Sequence, residues 1–262
     1  MNKIGFIGMG NMAQAIALGF VKSGKVKAEN LYAYAPNQEK LQKNAQKIGF
    51  IPQDDVVQMV KTCDSLIIAC KPYQIEGVLA QVGDFLNGKM LVSVAAAWGF
   101  SSFEKVLGEK VRIQCIMPNT PAMVGEGVML FEKENSLLPD ELSDLKELFA
   151  CLGCVEVLPS ELMGIGGAVS GCGPAFMDMI MEAYADAAVK YGISRDMAYR
   201  LVSQTMKGSA ELLQVTGKHP GVLKDEVCSP RGSTIRGVDS LEKDGLRGAI
   251  ISSIDAIMNM KK

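Results

Sequence analysis

Up to Pro159 the chain alternates short β-rich apolar runs with amphipathic stretches. The runs predict strands over residues 3–7, 31–35, 64–69, 90–94, 111–117, 128–131 and 154–158. Strands alternating with helices build a parallel sheet wrapped on both faces. The groups Ile4, Phe6, Ile7 and Leu66, Ile67, Ile68, Ala69 are nearly continuous in apolar character, as strands buried on both faces require. The expected fold class is α/β, with a doubly wound, Rossmann-type, mostly parallel sheet.

Beyond Pro159 the pattern changes to helices punctuated by Gly, Pro and Ser, with no further strand expected after Gly173. Pro174 suits a first helical position, Phe176, Met179, Ile180, Ala183 and Ala187 recur at helical spacing, and Gly192 can close that helix. Ser194 reads as the N-cap of a next helix that carries Leu201, Val202, Met206 and Leu213 and ends near Gly217. Leu246, Ile250, Ile254 and Ile257 mark the last helix. Met177, Met181, Tyr184 and Ala188 form a second mixed face on the 174 helix, so that helix asks for burial on two sides. The expected organisation is a dinucleotide-binding domain over 1–159 and a helical dimerisation and substrate-binding domain over 160–262, paired with a second copy.

Composition narrows the function. A chain of 262 residues can hold two modest domains, and 27 basic against 29 acidic side chains leave no footprint for nucleic acid or an anionic membrane. Small-molecule chemistry is the expectation. Seven cysteines, an odd number scattered through apolar runs, read as reduced buried thiols and point to the cytoplasm. The chain opens directly on a strand-like run, which leaves no room for an export signal. Its longest uncharged stretch, 162–177, is broken by glycines and Pro174 and falls short of the ~20 apolar residues of a membrane span. The 16 methionines read as adaptable core packing.

Gly8-Met9-Gly10-Asn11-Met12-Ala13 fits G-x-G-x-x-A directly after a strand and at the opening of a helix, the context in which this pattern binds a dinucleotide. Gly8 permits the tight turn, Gly10 lets the backbone approach a pyrophosphate, and Ala13 packs helix against strand. Asn11 and Met12 then offer helix N-terminal N–H groups to the phosphates. After the second strand the chain reads Tyr34-Ala35-Pro36-Asn37-Gln38, with no acid before Glu39. Ala35 borders the cofactor there, and Asn37 and Gln38 can hydrogen-bond a 2′-phosphate. NADPH is favoured, with NADH also admissible because no arginine clamps that corner.

Ala69-Cys70-Lys71-Pro72, Ser93-Val94-Ala95-Ala96-Ala97, Met117-Pro118-Asn119-Thr120-Pro121 and Ser229-Pro230-Arg231-Gly232-Ser233-Thr234-Ile235 occur in that order along the chain. With the glycine fingerprint they resemble the pyrroline-5-carboxylate reductase family along nearly the whole length. The first three follow strands, at the carboxyl ends where open parallel sheets bind ligands, which nominates Ala95 and Ala96 as cofactor neighbours. The resemblance implies that Ala69, Lys71 and Pro72 border the cofactor and that Asn119, Thr120 and Pro121 approach its nicotinamide. Lys71 also reads as a solvated surface lysine.

In the last segment the N–H groups of Gly232, Ser233 and Thr234 are expected to converge on a substrate carboxylate, with Ser229 beside them. Ser229 and Thr234 also read as simple helix caps. The Ser170-Gly171-Cys172-Gly173-Pro174 run resembles the start of the family's dimerisation helix, with Cys172 in place of a usual serine. Arg231 stands where the family usually has glycine, and Ala97-Trp98 replaces a commoner glycine-containing turn. Arg231 either clamps an extra carboxylate or faces solvent.

The reaction the resemblance implies is hydride transfer from NADPH or NADH to the C=N bond of 1-pyrroline-5-carboxylate, giving L-proline, the last step of proline biosynthesis. Because a cyclic imine accepts a proton readily, one hydroxyl beside its nitrogen suffices, and Thr234 is the catalytic candidate. His219, followed by Pro220, reads as a helix cap, and no His/Cys/Asp group has zinc-ligand spacing. The competing readings are a reductase of a related cyclic imine carboxylate, a β-hydroxyacid dehydrogenase, which the absence of a lysine from 166–185 disfavours, and a non-catalytic dinucleotide sensor. The resemblance further implies a homodimer or ring of dimers built through the C-terminal helices.

Overall fold

The structure is a computed structural model that describes residues 3–260. An eight-stranded sheet carries β1 (Ile4–Ile7), β2 (Leu31–Tyr34), β3 (Ile51–Gln53), β4 (Ser65–Ile68), β5 (Met90–Ser93), β6 (Arg112–Pro118), β7 (Gly127–Glu132) and β8 (Gly153–Leu158). Its order is β3-β2-β1-β4-β5-β6-β7-β8. The first six strands are mutually parallel and follow the dinucleotide-fold order, with the topological switch between β1 and β4. β7 runs antiparallel to β6, and β8 parallel to β7.

Between the strands lie α1 (Asn11–Lys22), α2 (Gln38–Ile48), α3 (Val56–Thr62), α4 (Ile75–Val82), α5 (Phe100–Leu107) and α6 (Pro139–Ala150). After β8 come α7 (Met163–Ser170), α8 (Gly173–Lys190), α9 (Arg195–Thr216), α10 (Pro220–Glu226), α11 (Ser233–Lys243) and α12 (Leu246–Met258). The chain forms two compact units, one ending at Gly171 and one beginning at Cys172.

Alternation along the strands sorts side chains into two cores, one on each sheet face. Ile4, Phe6, Ile67, Met90 and Val92 join the cluster under α1 and α6, whereas Ile7, Leu66, Ile68 and Leu91 join the one under α3, α4 and α5. Phe149 of α6 meets Phe20 of α1 and Phe131 of β7 edge-on, with ring centroids 5.3 and 5.8 Å apart. These are favourable aromatic geometries.

All seven predicted strands are present. β3 was not anticipated: three residues centred on Pro52 give too weak a pattern, and an edge is where a sheet tolerates proline. The predicted boundary at 159/160 differs from the division into compact units because α7 packs on the sheet. A Cβ on Gly166 would meet the side chains of Leu130 and Leu158, and one on Gly167 would meet Met117 Sδ. Glycine at these positions lets the helix lie against β6, β7 and β8.

The helical unit buries very little of its own. Among its described residues Ala185 and Ala198 are the buried apolar side chains, while Met179 is 69 % and Ile251 63 % exposed, and Tyr184 and Val215 are also exposed. A unit this size without a core of its own needs another surface to cover its apolar faces.

Candidate active site

Loops from β1, β2, β4, β5 and β6 emerge together at the carboxyl edge of the parallel strands. Gly8 sits at φ +97°, and an added Cβ there would lie 2.7 Å from Cys70 N and 2.9 Å from Ala69 O. Only glycine satisfies both the torsion and the approach. Its N–H donates to Tyr34 O at 2.8 Å, joining the ends of β1 and β2, while Ala69 N donates to Ile7 O at 2.9 Å, joining β4 to β1.

Gly10 is the N-cap of α1, with open space where its side chain would be and no side-chain cap bond. No acid occupies the first turn, so the N–H groups around Asn11 and Met12 face outward under the positive end of the helix dipole. Ala13 is buried against the sheet. The residues present fit the pyrophosphate of a dinucleotide.

At the end of β2, Asn37 Oδ1 accepts the Lys40 N–H at 2.9 Å and caps α2, and its amide N–H groups have no partner among the described residues. Gln38 is different. Its Nε2 donates to Ala35 O at 2.9 Å and Gln53 O at 3.2 Å, so the expectation that Gln38 reads a 2′-phosphate is corrected. Glu39, the first acid, pairs with Lys43 at 2.6 Å. Ala35 stands half-buried beside this corner.

Lys71 is exposed with Pro72 opening a short turn behind it, and Ala95 and Ala96 lie on the turn after β5. In that turn Ala97 adopts φ +67°. Beyond β6, Thr120 is exposed and Pro121 half-buried, but Asn119 is only 6 % exposed. Its carboxamide donates to Ser170 O at 3.0 Å and accepts Val128 N–H at 2.8 Å. The side chain thus holds the loop, with one amide N–H and one Oδ1 lone pair engaged.

In the helical unit, α11 begins at Ser233, with Gly232 as an N-cap that has no side-chain bond. The Gly232 N–H donates to Ser229 O at 3.0 Å, so it is not available to an anion as anticipated. Ser233 and Thr234 keep their helix N-terminal N–H groups. Neither Ser229 nor Thr234 acts as a cap: among the described residues the hydroxyls of Ser229, Ser233 and Thr234 make no internal hydrogen bond, and all three side chains are exposed. A Cβ on Gly232 would collide with Ser229 Oγ, which explains the glycine. Arg231 holds φ +60°, and it and Ala97 are the non-glycine residues with positive φ among those described. They stand at the two places where the resemblance leads one to expect glycine.

His219 Nδ1 accepts the Gly221 N–H at 3.0 Å and caps α10, as its position before Pro220 suggests. The cysteines are all unpaired, but Cys154 and Cys172 are exposed rather than buried. Burial pushes the Cys63 thiol up to about 12 and the Cys115 thiol further, the latter with help from the neighbouring Glu132 carboxylate. Neither thiol is a nucleophile.

A relative from Treponema pallidum (strain Nichols), a pyrroline-5-carboxylate reductase, is 39 % identical over 98 % of both chains. The chain belongs to the pyrroline-5-carboxylate reductase family. The same-named enzyme of Escherichia coli (strain K12) is 36 % identical over 98 % of this chain and 96 % of its own. The family model described as pyrroline-5-carboxylate reductase dimerisation matches residues 160–262, and one described as NADP oxidoreductase, coenzyme F420-dependent, matches 3–97.

Among solved structures, the Plasmodium falciparum pyrroline carboxylate reductase with NADP bound superposes with a TM-score of 0.88 at 30 % identity, covering 97 % of this chain and 95 % of its own. The Coxiella burnetii pyrroline-5-carboxylate reductase gives the same score and identity over 98 % and 96 %. A 3-hydroxyisobutyrate dehydrogenase from Mycobacterium tuberculosis, 13 % identical with a TM-score of 0.53, shares the fold alone. No helix among the described residues is long and apolar enough to cross a membrane.

Proposed function

We propose that this chain reduces the C=N bond of 1-pyrroline-5-carboxylate to give L-proline, using NADPH. The observation that carries the reading is the group at the start of α11: three hydroxyls without internal partners beside helix N-terminal N–H groups, in a family whose members bear this activity in their names. NADPH supplies the hydride that adds to the C=N carbon.

The residues of this chain bind, orient and protonate. Gly8, Gly10, Asn11 and Met12 hold the phosphates through backbone N–H groups. Asn37 meets the 2′-phosphate with its side-chain amide, and Glu39, the first acid after β2, is paired with Lys43. Ala35, Ala69, Lys71, Pro72, Ala95, Ala96, Thr120 and Pro121 border the cofactor, with Asn119 fixing the loop that carries the last two. For the substrate, the Ser233 and Thr234 N–H groups take the carboxylate, with Ser229 adding a hydroxyl. As the π pair moves onto nitrogen, the Thr234 hydroxyl donates to it, a role for one positioned donor where no strong acid is required.

The enzyme works in the cytoplasm as a homodimer, or a ring of such dimers, paired through its helical unit. Exposed Met179, Tyr184 and Ile251 are the apolar surface such pairing covers. The test is the loss of NADPH absorbance with racemic 1-pyrroline-5-carboxylate, with NADH run in parallel. Rapid oxidation supports the reading, and cofactor binding without turnover overturns it.

A further inference from the structure

The polar group that the sequence leaves unexplained is Glu132, the last residue of β7. Its side chain is 5 % exposed, and among the described residues it has no cation within ion-pairing distance. Burying a carboxylate in this way is costly unless its oxygens are satisfied by donors. Oε2 accepts the Phe100 N–H at 2.8 Å, and Oε1 lies 2.5 Å from Ser160 Oγ, whose single hydroxyl proton is shared with Glu134 Oε2 at 2.7 Å. Strand β7 is itself pinned at this residue, since Gln114 Nε2 donates to Glu132 O at 2.8 Å.

Phe100 is the first residue of α5, and its N-cap, Gly99, has no side chain to cap with. Glu132 supplies the missing cap from a strand 32 residues away, placing negative charge at the helix's positive end. An added Cβ on Gly99 would lie 3.0 Å from Oε1, so the turn is seated directly on the carboxylate. Two residues before Gly99 stands Ala97 at φ +67°, a torsion an alanine keeps only where its surroundings hold it. Ala95 and Ala96 precede it. On the far side, Trp98 packs on Phe103 of α5 with ring centroids 5.0 Å apart, so the turn is gripped at its C-terminal end.

We infer that Glu132 is a positioning residue for cofactor binding: through Phe100 N–H and Gly99 it holds the strained 94–99 turn in the shape that receives the dinucleotide. The inference rests on the reading of Ala95 and Ala96 as cofactor neighbours. A role in folding alone would need no buried charge, since a serine or aspartate at residue 99 would cap α5 locally.

The test is NADPH affinity by fluorescence titration of the full chain, with steady-state kinetics alongside, for Glu132→Ala, Glu132→Gln and Ala96→Trp. Glu132→Gln retains an acceptor for Phe100 N–H and is expected to bind NADPH within roughly threefold of the parent, while Glu132→Ala weakens binding roughly fivefold to fiftyfold with kcat and the imine KM little changed. Ala96→Trp, which fills the space beside the turn, abolishes NADPH binding.

If Ala96→Trp blocks NADPH and folded Glu132→Ala binds it normally, the positioning role is overturned and the cofactor reading stands. If Ala96→Trp binds NADPH normally, the reading of the turn fails and the inference falls with it. Should Glu132→Ala not fold, Gly99→Val presses a bulkier side chain on the carboxylate, which lies 3.0 Å from an added Cβ, without removing it. Weakened NADPH binding there supports the role, and unchanged binding overturns it.

Discussion

The Asn119 carboxamide donates to Ser170 O at 3.0 Å and so ties the end of β6 to the end of α7, 51 residues on. With its Oδ1 on Val128 N–H at 2.8 Å, a single side chain satisfies two backbone groups of the cofactor-edge loop. Asn119→Ala leaves both unpaired at a nearly buried position. Stability is expected to fall by about 1–3 kcal/mol, measured by chemical denaturation, with NADPH affinity falling as well because the loop loses its anchor. Unchanged stability would mean that water replaces the carboxamide.

Gly8→Ala tests the pyrophosphate fit. The positive φ costs an alanine roughly 1–2 kcal/mol, and the new Cβ would press into the Ala69–Cys70 peptide. NADPH binding should be lost in protein that remains folded by circular dichroism. Normal binding would show that β1 and β4 part without consequence.

Asn37→Asp separates the two nicotinamide cofactors. Aspartate caps a helix as well as asparagine does, so stability is kept, but it replaces amide donors with charge that repels a 2′-phosphate. The KM for NADPH is expected to rise by roughly tenfold while that for NADH changes little. Equal effects on both would place the 2′-phosphate elsewhere.

Thr234→Ala removes the proposed proton donor and nothing that holds the fold, since the hydroxyl has no internal partner. Turnover should fall roughly tenfold to a thousandfold, with NADPH affinity unchanged. A rate equal to the parent's excludes Thr234 as donor.

Arg231→Gly relieves a left-handed torsion at φ +60°. Glycine normally destabilises by loosening the unfolded chain, but here the strain relief offsets that, so stability should stay level or rise by up to about 1 kcal/mol. Comparing five- and six-membered imine carboxylates with this variant shows whether the guanidinium selects substrate; an unchanged ratio removes Arg231 as the selector.

Much of this architecture is local and therefore legible in the sequence. Apolar runs such as 4–7 and 66–69 identify strands because burial on both faces leaves little room for polar positions, and Gly8, Gly10 and Ala13 are readable because torsion, open approach and close packing each exclude larger side chains. His219 before Pro220 and Gly217 after Thr216 mark helix ends for equally local reasons. The family motifs around Asn119 and Thr234 could be recognised without their contacts.

What only the tertiary structure decided is where polar atoms find partners. Gln38 turns from a hypothetical phosphate to two backbone carbonyls, Asn119 braces a loop, and the Gly232 N–H closes its own turn, none of which spacing can report. Glu132 reads as an ordinary strand-end acid until the fold brings Phe100 and Ser160 to it. The antiparallel turn of β7 is of the same kind, as is the short edge strand at Pro52. Hydrophobic periodicity is a property of neighbours along the chain. A hydrogen bond depends on which distant backbone arrives within 3 Å or so, and that is settled only when the sheet closes.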